Sequence, residues 1–141
     1  MQLGVDQTVI QKYLHLLEEA FVIFRLSSFK RNLRNEIKKS RKIYFWDLGI
    51  RNAIIQNFNI LELRDDIGKL WENFCITERL KFLHNNQYSV NKYFWRTYNQ
   101  KEIDYIEEKN NHLTAYEFKW NHTKKHKKRT EKYQINLRGK Q

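Results

Sequence analysis

Two β-like runs folded over a tight polar tip constrain this chain more than any other feature. Glu102-Ile103-Asp104-Tyr105 leads in and Ala115-Tyr116-Glu117-Phe118-Lys119 leads out, around Lys109-Asn110-Asn111-His112. Asparagine tolerates the positive φ angles that a two-residue hairpin turn needs, which places the turn at 110 and 111. In that register Asp104 stands opposite Glu117, and Glu102 opposite Lys119. Directly opposed residues hold their Cβ atoms about 5 Å apart on one face. The pattern therefore predicts a charged face of Glu102, Asp104, Glu117 and Lys119. It predicts an apolar face of Ile103 with Phe118 and Tyr105 with Tyr116.

The charged set has a chemical meaning. Mg²⁺ takes hard oxygen ligands and keeps several waters, so a pair of carboxylates can hold it. A cation held in this way activates water and offsets charge on a phosphate. Asp104 followed by Glu117-x-Lys119 resembles the active-site signature of the PD-(D/E)xK nuclease superfamily. That resemblance implies Asp104 and Glu117 as Mg²⁺ ligands and Lys119 as the group that orients or activates water.

Asp65 to Leu83 reads as a helix. Ile67, Leu70, Trp71, Phe74 and Phe82 share one stripe, and Asp66 stands where a cap would. Glu72 lies beside the stripe, within reach of a site edge. Glu78 lies on it, and a carboxylate on an apolar face needs a partner, Arg96 or Lys119 being candidates.

The order of motifs resembles a narrower group. Lys42-Ile43-Tyr44-Phe45-Trp46-Asp47-Leu48-Gly49, Gly68-Lys69-Leu70-Trp71-Glu72-Asn73-Phe74, Tyr93-Phe94-Trp95-Arg96-Thr97, Glu102-Ile103-Asp104 and Glu117-Phe118-Lys119 follow one another. They look like the C-terminal nuclease-like domain, a domain of unknown function, of bacterial and archaeal AAA-type ATPases. The resemblance implies an α+β, restriction-endonuclease-like core with an antiparallel meander, preceded by a partial winged helix. It implies Glu72, Asp104, Glu117 and Lys119 as site positions, with Arg96 a nearby basic contact. Residues 1–56 then form the winged-helix part, and 57–141 the nuclease-like part with a basic tail.

The N-terminal residues fit that division. Asp6 or Thr8 can cap a helix whose apolar face is Ile10, Tyr13, Leu14, Leu17, Ala20 and Phe21. A strand over Phe21 to Leu26, a basic stretch and a strand over Ile43 to Trp46 follow. Asp47 suits the cap of the next helix better than a third metal ligand. A first helix-turn-helix helix and the last part of a nuclease core have no counterpart, so the chain reads as truncated at both ends. The last β-run would then leave an open sheet edge.

Charge points to a polyanion. The net charge is +11, and Arg25 to Lys42 holds eight basic residues against one acid. Such clusters bind phosphates with salt-sensitive affinity. Lys30, Arg31, Arg34, Lys38, Lys39 and Arg96 are the expected nucleic-acid contacts, with DNA as the favoured partner. No glycine-rich phosphate loop occurs, so ATP enters only through an upstream ATPase module. One cysteine, Cys75, excludes an internal disulfide. No apolar run approaches the ~20 residues of a membrane span and no signal peptide leads the chain, which favours the cytoplasm. A non-catalytic DNA-binding module and a protein-interaction platform are the competing readings.

Overall fold

The computed structural model describes residues 6–29, 40–99 and 101–120, and the backbone of a strand at 129–135. Among the described residues, three α-helices, a short 3-10 turn and a six-stranded mixed sheet make an α+β fold. The helices are α1 (Gln7–Glu19), α2 (Leu48–Ile54) and α3 (Ile67–Asn85). The strands are β1 (Ile23–Ser28), β2 (Arg41–Phe45), β3 (Asn91–Arg96), β4 (Glu102–Lys109), β5 (His112–Lys119) and β6 (Arg129–Ile135). Their order in the sheet is β2-β1-β3-β4-β5-β6.

The meander β3 to β6 is antiparallel throughout, as expected. β1 and β2, expected as the hairpin of a partial winged helix, are two strands of the same sheet, because β1 pairs β3 in parallel through Ser27 and Ser28. The sheet thus runs across the expected boundary at 56/57. β6 pairs β5 where the sequence left room for one more short element.

The hairpin turn is where asparagine chemistry put it. Asn110 and Asn111 have φ of 51° and 62°, and Lys109 pairs His112, Ile106 pairs Ala115 and Tyr105 pairs Tyr116. The faces depart from expectation one step further in. Tyr93 pairs Ile106 while Trp95 pairs Ile103, so Asp104 and Tyr105 together stand against Phe94. This is a β-bulge, and it breaks the alternation along β4. Ile103 consequently joins Ile106, Leu113 and Ala115 on one face, whereas Tyr105 joins Tyr116, Phe118 and Ile76 on the face covered by α3.

α3 keeps part of its apolar stripe inward, with Ile67 buried and Trp71 packed on the core, but turns the rest away from the sheet. Phe74 and Phe82 are 41% and 46% exposed, whereas Asn73, Ile76, Thr77 and Leu83 are buried. The polar members have partners. Asn73 accepts from the Phe45 N–H at 2.9 Å and donates to its carbonyl at 2.7 Å, and Thr77 Oγ1 donates to the same carbonyl at 3.2 Å. Satisfied polar groups can be buried at little cost, so these bonds clamp α3 to the end of β2. Glu78, expected on the buried face, is solvent-facing and pairs Lys81 at 2.7 Å.

Caps follow the same logic. Asp6 Oδ1 accepts from the Thr8 N–H at 3.1 Å and Asp47 Oδ1 from the Ile50 N–H at 2.8 Å, as expected of caps. Asp66 does not cap α3 with its side chain. It is held by Arg64 at 2.8 Å and by Arg51 at 2.8 Å, and Arg64 also donates to the Asn57 carbonyl and to Asn52. That cluster ties the 57–66 connection to α2.

α1 also departs from its expected face. It meets β1 through Gln11 and Glu18, which both accept from Arg25, and Leu14 is half-buried. Ile10, Tyr13 and Leu17 are turned outward.

Candidate functional site

At the end of α3 nearest β2, three carboxylates converge. Glu72 comes from the first turns of α3, and Glu102 and Asp104 come from β4. One oxygen of each lies within 4.8 Å of one from each of the others. Glu102 and Asp104 are two apart on β4 and point to the α3 face; the bulge adds Tyr105 to that face. Glu72 is presented by the clamp that Asn73, the next residue, makes with β2.

Two basic groups and a phenol surround the acids. Lys42 Nζ, on β2, donates to Glu72 Oε1 at 2.8 Å and pairs Glu102 as well. Tyr44, two residues along the same strand, donates to that same Glu72 oxygen at 2.6 Å. Arg96 Nε donates to Glu102 Oε2 at 2.6 Å. The Phe118 N–H donates to Asp104 Oδ2 at 2.8 Å. Glu72 Oε2 and Asp104 Oδ1 therefore meet no donor among the described residues. Among the described residues, three carboxylates against one ammonium and one guanidinium leave one negative charge uncompensated when all are ionised.

The electrostatics reflect that surplus. Burial, joined by the charges of Glu72 and Glu102, pushes the Asp104 carboxyl up to about 6, against the Phe118 N–H and Lys42, which favour its ionised form. Burial alone would lower the Lys42 ammonium, but Glu102 and Glu72 outweigh it and hold that group above its usual range. Burial and the neighbouring Glu72 raise the Tyr44 phenol, so it stays a hydrogen-bond donor.

The structure brings Glu72 and Asp104 together and leaves Glu117 and Lys119 elsewhere. β5 pairs β6 without a register break from Leu113 to Lys119, so its side chains alternate strictly. Tyr116 and Phe118 face α3, which turns Glu117 and Lys119 to the opposite face of the sheet. There they pair with each other at 2.7 Å. The bulge is the reason that the expected four-residue face divides. Arg96 is at the acidic cluster as a partner of Glu102, and it is 47% exposed. Lys30, Arg31, Arg34, Lys38 and Lys39 lie outside the described residues.

Three members were not singled out from sequence as site residues: Glu102, Lys42 and Tyr44. The Glu102-x-Asp104 spacing was a usable signal, because alternate strand residues share a face. Lys42 and Tyr44 arrive through strand order, which no local pattern encodes. An all-carboxylate donor set suits a hard cation such as Mg²⁺, with Glu72, Glu102 and Asp104 as the residues that would hold it.

Residues 67–139, just over half of the chain, match the family model described as "Domain of unknown function (DUF4143)". The chain belongs to this family. A second model, "Domain of unknown function (DUF8612)", matches residues 1–61, so the two models adjoin between α2 and α3 while the sheet continues through both. The DUF4143 chain is 32% identical over 108 residues to the uncharacterized protein Mb2031c of Mycobacterium bovis and, to the same extent, to the uncharacterized protein Rv2008c of Mycobacterium tuberculosis. These matches cover 74% of this chain and 24% of each relative. The aligned part thus spans about a quarter of the relatives' length. No solved structure gives a significant match. Among the described residues no helix is long and apolar enough to cross a membrane.

Proposed function

We propose that this DUF4143 domain is a DNA-associated, nuclease-like module of a AAA-type ATPase protein, with a divalent-cation site at Glu72, Glu102 and Asp104. The observation that carries the reading is the convergence of those three carboxylates beside the Lys42 ammonium. It is the acid-acid-lysine chemistry of the PD-(D/E)xK pattern, assembled from other residues than Glu117 and Lys119. Mg²⁺ bound there would supply Lewis acidity toward a phosphate oxygen and a water of lowered pKa. The chain's own groups have definable work. Tyr44 fixes the Glu72 carboxylate by its hydroxyl, and the Phe118 N–H fixes Asp104. Lys42 carries a positive charge at the place where a phosphodiester oxygen would approach the acids. ATP would enter only through an upstream module, and the net charge of +11 suits a nucleic-acid partner.

A second reading has its own observation. Lys42 and Arg96 already compensate two of the three acids, as a retained fold without cleavage would have it. The domain would then bind DNA or regulate its ATPase. Cleavage of duplex, nicked and single-stranded DNA with Mg²⁺ or Mn²⁺ separates the two. Nuclease chemistry at this cluster requires cleavage that Asp104→Asn and Glu72→Gln abolish and Glu117→Gln leaves intact. DNA binding without cleavage in any substrate favours the second reading.

A further inference from the structure

A second feature lies on the same sheet face, beyond the aromatic row that starts at the acidic cluster. Tyr44 stacks on Phe24 at 5.5 Å between ring centroids, and Phe24 meets Trp46 at 4.6 Å. Beyond Trp46 opens a cavity of about 720 Å³ between β1 and the C-terminal half of α3. Phe24, Trp46 and Leu80 give it an apolar lining. Arg25, Lys81 and Lys92 also line it beside Ser27, His84 and Asn85, so the charged groups on its rim are cations. Lys81 shares its charge with the exposed Glu78, whereas Lys92 and His84 have no ion pair among the described residues.

Phe21 also lines the cavity, and its conformation is unusual. It follows α1 with φ of 55°, a left-handed position that bulky side chains rarely occupy and glycine prefers. The backbone holds it there by a helix-ending pair of bonds, Phe21 N–H to the Glu18 carbonyl and Val22 N–H to the Leu17 carbonyl, each 3.0 Å. Phe21 is 76% exposed. α2 and α3 end in the same way at Gln56 and Gln87, so what sets Phe21 apart is a large aromatic side chain left exposed at such a position.

We propose that this cavity seats a base of single-stranded nucleic acid, with Phe21 and Trp46 as stacking surfaces and Lys81 and Lys92 against the flanking phosphates. Charge complementarity selects the occupant. A cationic rim over aromatic walls is the combination that binds single strands with little sequence preference, stacking supplying the base term and lysines the backbone term. The inference rests on the nucleic-acid reading above and adds to it a place and a strand state.

The test is fluorescence anisotropy of labelled oligothymidylate on the full chain, beside an abasic oligonucleotide of equal length. Phe21→Gly relieves the left-handed strain, so its melting temperature should hold or rise while affinity for oligothymidylate falls at least about fivefold. The abasic strand should bind more weakly than oligothymidylate and be indifferent to Phe21→Gly. Lys81→Glu with Lys92→Glu should weaken both strands and lower the salt slope by about two phosphate contacts. Oligothymidylate binding that ignores Phe21→Gly and the double lysine variant would overturn the cavity proposal and leave nucleic-acid binding standing elsewhere. Absence of binding to any nucleic acid would remove both. Displacement of the oligonucleotide by an equimolar glutamate-tyrosine copolymer would assign the cavity to an acidic protein partner instead.

Discussion

Strand β4 carries two clusters of charge on its α3 face, and they are built to opposite rules. Glu107 is 7% exposed and faces Arg79 of α3, which grips it with two parallel bonds of 2.6 and 2.8 Å. The Tyr116 hydroxyl donates to the same carboxylate at 3.2 Å. One acid meets one guanidinium in a fork, every oxygen has a donor, and the charges cancel. Nearer the start of the strand, Glu102 and Asp104 join Glu72, and three acids share two basic groups. The first arrangement is complete as it stands. The second holds, among the described residues, a charge surplus, two oxygens without donors and a carboxyl shifted to about 6. Charge balance within one strand thus separates a structural pair from a candidate site.

The contrast can be broken at several points. Arg79→Met should be the most damaging change. It strands the Glu107 carboxylate in a buried place, at a cost of about 3 kcal/mol in chemical denaturation at pH 7. A loss under 1 kcal/mol would mean that Glu107 reaches water. Lys42→Met should cost about 2 kcal/mol, because it removes the ammonium shared by Glu72 and Glu102 and leaves Glu72 with only the Tyr44 hydroxyl, the pair being only partly buried. That loss should shrink when millimolar Mn²⁺ is added, since a cation that binds only the folded state stabilises it. A melting temperature unmoved by Mn²⁺ would weaken the metal reading.

Asp104→Asn should act the other way. The carboxyl titrates near 6 when folded and near 3.8 when unfolded, so the folded state binds the extra proton between those values. The stability that Asp104 contributes should therefore fall as pH rises from about 4 to about 6. The asparagine variant should lack that loss, so its advantage over wild type should grow across the window and reach roughly 1–3 kcal/mol at pH 7. The smallest effect belongs to the far face. Glu117→Gln or Lys119→Met should shift stability by no more than about 0.5 kcal/mol, as exposed ion pairs do.

What sequence could convey follows from how local each cause is. The hairpin register was legible because Asn110 and Asn111 carry their own turn chemistry, and the Asp6 and Asp47 caps were legible because a cap bonds within three residues. Asp66 fits the same pattern, yet Arg51 and Arg64 claim its side chain from a distance. The orientation of α3 was hidden because Glu72, Asn73, Thr77 and Arg79 face the sheet, each with a remote partner, while Phe74 and Phe82 mimic a core stripe. The split of Asp104 from Glu117 depends on a bulge opposite Phe94, on a strand that no hairpin rule consults. Glu72 and Asp104 were singled out from sequence and meet in the candidate site; Lys42 and Tyr44 reach it only because β2 and β1 join the meander's sheet.

The most direct test is a Mn²⁺ titration by calorimetry at pH 7.5, wild type beside Asp104→Asn, Glu72→Gln and Glu117→Gln. One binding event in wild type and Glu117→Gln, weakened at least tenfold in the other two, is the expected result. Binding lost in Glu117→Gln and kept in Asp104→Asn, or no binding in any of them, would contradict a cation site at Glu72, Glu102 and Asp104.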